Sequence, residues 1–171
     1  MTDWQTRLRA LSEEKYADFT ARLAPGITRE KVLGVRVPLL RQLAAELDKE
    51  GSADAILCQL PHAYYDEYML HALLINREKD YPRCREKIDR FLPYVDNWAV
   101  CDCLSPAAFR RHRRELLPDV RRWMASDATF TCRFGIKTLM GHFLDDAFDP
   151  ALLEETAGRC GEDYYVNMAI A

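Results

Sequence analysis

Asp96-Asn97-Trp98-Ala99-Val100-Cys101-Asp102 sets an indole and a carboxylate four positions apart. In a helix that spacing puts both side chains on one face, one turn apart. The apolar positions of the same segment, Val100, Cys103 and Leu104, fall on roughly the opposite side. Neither Trp98 nor Asp102 is then needed only to fill a core. An aromatic wall beside a single acid suits a site that holds a flat or cationic group and stabilises positive charge as it develops. The plainer readings are a carboxylate that caps or pairs within its helix and an indole at the core edge.

A second set of residues is cationic. Arg133 and Lys137 lie one turn apart on a helix expected over 128–144, with Asp127 as its N-cap and Cys132, Ile136, Leu139, Met140 and Phe143 as its core stripe. A guanidinium there can grip a phosphate through two bonds, or can pair with Asp102 instead. Between 105 and 125 stand Arg110, Arg111, Arg113, Arg114, Arg121 and Arg122, against only Glu115 and Asp119. Such a stripe can follow a phosphate backbone even though the whole chain carries a formal charge of −3. It can equally be a solvated helix face.

The elements that must position these residues are helical. Apolar residues recur with helical period, and proline, glycine and capping residues separate the runs in place of hairpin turns. Helices are expected from about 2–11 and 12–23, stopped by Pro25-Gly26, and over 38–49, where Leu39, Leu40, Leu43, Ala44 and Leu47 share a face, Pro38 suits the first position and Gly51 follows the end. Further helices are expected over 53–60, 64–79, 83–92, 97–104, 106–117, 118–125 and 150–158. The weakly alternating stretch 32–37 reads as a helix end plus a loop. The short gaps predict antiparallel neighbours, in a solenoid or a bundle. The final segment opens with Asp163 as N-cap and has no stop signal, which suggests a shortened chain lacking C-terminal helices.

With 171 residues and 49% apolar content, one substantial core is affordable and disorder is excluded. There is no apolar run of about 20 residues to cross a bilayer and no export signal at the N-terminus, so a cytoplasmic protein without membrane contact is expected. Cys58, Cys84, Cys101, Cys103, Cys132 and Cys160 sit singly in helical stripes and read as small reduced core residues. Their spacing makes no zinc site, and no metal is expected.

Taken together and in order, four motifs resemble the DNA alkylation repair family of AlkD-type proteins. They are Gly34-Val35-Arg36-Val37-Pro38-Leu39-Leu40-Arg41, the Asp96 to Asp102 segment, Trp123-Met124-Ala125-Ser126-Asp127 through Arg133, and Tyr164-Tyr165-Val166-Asn167-Met168-Ala169-Ile170-Ala171. The resemblance implies an all-α superhelix of antiparallel helix pairs, a single HEAT-like repeat domain over 1–171 that cradles double-stranded DNA. It implies a glycosylase that removes cationic alkylpurines of the 3-methyladenine and 7-methylguanine type, with Trp98 and Asp102 at the lesion and Arg133 on the DNA backbone. No deep base-flipping pocket and no cofactor go with it. Arg36, Lys137 and the six arginines between 110 and 122 join the expected DNA-facing cations, and a monomer is expected. A non-catalytic module that binds DNA structure, and a helical protein-interaction scaffold, remain the alternatives.

Overall fold

Periodic apolar faces bounded by capping residues give helices in the computed structural model, which describes residues 3–24, 26–145 and 148–171. Thr2, the expected start of the first helix, and Pro25 of the expected first stop lie outside the described residues. No strand occurs among the described residues, and the architecture is all-α, helix packed on helix. None of the described helices is long and apolar enough to cross a membrane. The chain divides into two compact units, 1–78 and 79–171.

The first unit carries α1 (Asp3–Ala10), α2 (Glu14–Leu23), α3 (Val37–Lys49), α4 (Ala53–Leu57) and α5 (Tyr65–Ile75). α3 has a start, a face and a stop: proline in its first turn, buried Leu40, Leu43, Ala44 and Leu47, and Gly51 beyond its end at φ +74°. It packs against α5, whose buried Leu70, Leu74 and Ile75 complete the core. The stretch 32–36 follows a 3-10 turn (Arg29–Lys31) as a loop, in keeping with its sequence. Buried Asp66 holds that loop by accepting from the backbone N–H groups of Leu33 (2.7 Å), Gly34 (3.3 Å) and Val35 (2.7 Å). Gly34, at φ +82°, packs so closely on α2 that a Cβ would collide with the backbone at Glu13 and Ala17.

The second unit carries α6 (Tyr81–Phe91), α7 (Trp98–Cys103), α8 (Arg113–Met124), α9 (Thr129–Phe143), α10 (Pro150–Ala157) and α11 (Tyr164–Ile170). α9 is its hub and touches α7, α8 and α11. Phe109, Trp123 and Phe134 form the aromatic centre of this core, with Trp123 and Phe134 ring centroids 4.9 Å apart. At Gly135 the backbones close in, since a Cβ there would stand 2.6 Å from the Met124 nitrogen.

Several expectations are corrected. The segment expected as a helix over 106–117 is a 3-10 turn (Ala107–Arg111) followed by α8, which runs straight through Pro118. Pro118 is therefore not a helix start but sits in the second turn, where the missing N–H leaves only the Arg114 carbonyl without its helical donor. The helices expected over 53–60 and 64–79 end early, at Leu57 and Ile75. Met140 is 49% exposed, so the α9 stripe turns to Phe134, Ile136, Leu139 and Phe143. Ala128, not Asp127, is the α9 N-cap, and Ser126 Oγ accepts from the Ala128 N–H. All six cysteines are free thiols, but only Cys84, Cys101 and Cys132 are buried, and Cys58 and Cys160 are exposed.

Candidate functional site

α7 is short and depends on its cap. The Asn97 side-chain oxygen accepts from the Val100 N–H (2.9 Å), and its amide donates to Asp96 Oδ1 (2.9 Å). Val100 and Cys101 face the core, where Cys103 is expected from the sequence; Cys103 is half-buried. This rotation leaves Trp98 and Asp102 half-buried, one turn apart on the open side.

Asp102 is the centre of a charge cluster. Arg133 of α9 grips it with a fork, Nε to Oδ1 at 3.0 Å and Nη2 to Oδ2 at 2.9 Å. The third guanidinium nitrogen, Nη1, donates to the Tyr165 carbonyl of α11 at 2.8 Å. Arg133 is only 6% exposed, and its bond to Asp102 holds its pKa above the ordinary arginine value against the cost of burial. Lys137, one turn on, reaches Asp102 Oδ1 at 3.1 Å. The carboxylate side chain nevertheless remains 25% exposed. Three helices thus fix one acid, with two cations on it and one side toward solvent.

That side opens on a cavity of about 530 Å³, whose walls include Asp102, Ser105, Phe109, Arg110, Lys137, Thr138 and His142. Trp98 is not among its lining residues. His142 packs edge-on against Phe109, with centroids 5.8 Å apart. Burial first, then Arg113 and Arg110, hold its imidazole below the usual histidine range, while Asp145 pulls the other way. Beneath Asp102, Cys101 donates its thiol to the Phe130 carbonyl at 3.4 Å, and burial pushes its pKa up to about 12.

The remaining sequence candidates divide by partner. Arg113 pairs with Asp145 at 2.6 Å, Arg121 with Glu155 at 2.8 Å, and Arg122 with Asp89 at 2.9 Å and Asp119 at 3.1 Å. Arg110, Arg111 and Arg114 are exposed, with no carboxylate partner among the described residues. Arg36 lies in the first unit, forked onto Glu13 at 2.8 and 3.0 Å and stacked over the Tyr16 ring at 4.9 Å. Sequence reasoning missed His142 and Thr138, which follow Lys137 on α9, and the backbone carbonyl of Tyr165. A histidine one turn past Thr138 was the available signal for the first two; a carbonyl acceptor leaves none. No group of three or more His, Cys, Asp or Glu that could hold a metal occurs among the described residues.

In this all-α protein one acid is held on a buried guanidinium, beside a cavity edged with cations. The family model for DNA alkylation repair enzymes matches residues 4–164, and the chain belongs to that family. Membership places it in the repair of alkylated DNA. No curated protein and no solved structure gives a significant match.

Proposed function

We propose that the protein is a monofunctional DNA glycosylase that excises cationic N-alkylated purines, of the 3-methyladenine and 7-methylguanine type, from duplex DNA. An alkylated purine already carries positive charge, so it leaves without a general acid and needs no carboxylate pair of the kind that cleaves ordinary glycosides. One carboxylate suffices. Asp102 stabilises the oxocarbenium-like sugar and orients water for attack, and the Trp98 π face meets the cationic nucleoside.

The observation that carries this reading is the Arg133 fork on Asp102. It fixes the acid in place yet leaves part of it open, which is the preorganisation that electrostatic catalysis requires. Arg133 then acts by positioning Asp102, since it is buried and its nitrogens are engaged within the protein. The exposed arginines and Lys137 supply the backbone contacts.

The test is release of free base from methylated duplex DNA, separated chromatographically. Asp102→Asn abolishes release while DNA affinity stays within about twofold, because the variant removes charge at the reacting sugar and leaves the phosphate contacts. Equal release from the variant overturns the assignment of Asp102. A second reading, a non-catalytic module for DNA structure, draws on Lys137, which adds a second cation to Asp102. It gains if duplex DNA binds tightly and no base is released while a known glycosylase acts in parallel.

A further inference from the structure

The cavity beside Asp102 has the wrong charge for a cationic base. Arg110 and Lys137 both line it, and Asp102, the acid on its wall, already accepts from Arg133 and Lys137. The surplus is positive, so the cavity repels a methylated purine and attracts an anion. Two of its side chains, His142 and Lys137, can donate to that anion. His142 has no hydrogen-bond partner among the described residues, and with its imidazole held toward the neutral form by burial, Arg113 and Arg110, it offers one N–H at no cost in desolvated charge. Lys137 has three ammonium hydrogens and spends one on Asp102 Oδ1.

We infer that this cavity is a phosphodiester subsite, in which Arg110, Lys137 and His142 hold the backbone linkage flanking the damaged nucleotide. The inference rests on the glycosylase reading for the identity of the nucleotide at Asp102. From Lys137 to His142 is five residues of α9, about 7.5 Å along the axis at about 1.5 Å per residue. A strand rises about 3.4 Å per nucleotide, so this span is long enough to hold both the nucleotide at Asp102 and a linkage that flanks it. A sugar at Asp102 leaves a neighbouring phosphate within the cavity that Arg110, Lys137 and His142 line. Lys137 bridges the two and ties the register of the strand to the position of the acid.

The test is a linkage scan. Duplexes carry one 7-methylguanine with a 2′-fluoro sugar, which resists loss of the base, and a single uncharged methylphosphonate at each linkage around it. Affinity is measured by fluorescence anisotropy for the wild type, for Arg110→Gln and for Arg110→Gln/His142→Asn. Arg110 is exposed, so its replacement leaves the fold intact. At one flanking linkage the phosphonate costs the wild type about tenfold, the double variant loses less than twofold, and Arg110→Gln falls between them; at the other linkages the losses are additive. Equal phosphonate losses in all three proteins at every linkage overturn the subsite. Such a result beside normal base release from unfluorinated DNA leaves the glycosylase reading standing. Linkage-specific coupling without base release keeps the subsite and removes the glycosylase. Failure of the wild type to bind DNA overturns both.

Discussion

At the scale of single residues, Arg133 is where structure and function meet. It is nearly buried and spends every guanidinium nitrogen, two on Asp102 and one on the Tyr165 carbonyl. Lysine keeps the charge but cannot reproduce a planar fork. Arg133→Lys is expected to lower the urea-derived stability by about 2 kcal/mol, since it loosens a largely buried pair, and to slow single-turnover base release at least tenfold. A second prediction concerns His62, whose Nε2 lies 2.8 Å from His71 Nδ1. Burial holds the His62 pKa below its usual 6.5, against a smaller pull from Glu67. The folded state then binds fewer protons than the unfolded state below that value, so stability is full above about pH 6.5 and declines as pH falls. The urea midpoint should drop between about pH 7.5 and about pH 5.5, and His62→Gln should flatten the decline.

At the scale of elements, the close crossing of α8 and α9 sets the geometry of the site, because α9 carries both Arg133 and Lys137. Gly135 permits that approach. Gly135→Ala is expected to cost about 1–3 kcal/mol through overpacking, despite the better helix propensity of alanine, and a thermal melt measures it. Most of the helices were legible because their apolar faces and caps agree: α3 reads directly from Pro38, its leucines and Gly51. α8 did not, since Pro118 resembles a first-position proline, and only the burial of Leu116 and Val120 on either side shows one continuous helix. The Trp98 and Asp102 spacing was readable within one turn. The join from Asp102 to Arg133, 31 residues away, was only one of two possible pairings until α7 and α9 were seen packed. The lining of the cavity was readable only in part: Asp102, Arg110 and Lys137 stood out by their charge, but their meeting with Thr138 and His142 depends on which side of α9 faces the 3-10 turn.

At the scale of the whole molecule, an acidic chain must bind an acidic polymer through a local field. Pairing with Asp145, Glu155 and Asp89 tempers Arg113, Arg121 and Arg122. Exposed ion pairs of this kind are worth less than about 1 kcal/mol and give way readily to phosphates. On the glycosylase reading, Arg110, Arg111, Arg114 and Lys137 are the cations expected to displace counterions from the duplex first. Four such contacts predict a log–log salt slope of about −3.6, at roughly −0.9 per phosphate, read by anisotropy on undamaged duplex. A flat salt response would remove the phosphate contacts.

Reagents that methylate DNA also attack thiolates, so a repair protein works amid the hazard to its own sulfur atoms. Cys101 adjoins the key acid, yet its thiol is sealed and resists losing its proton, and Cys84 and Cys132 are likewise enclosed. Cys58 and Cys160 meet solvent, and neither belongs to α7 or α9. By exposure, alkylation is expected first at Cys58 and Cys160, and Cys103, half-buried beside Asp102, is the one thiol of α7 within reach of such a reagent.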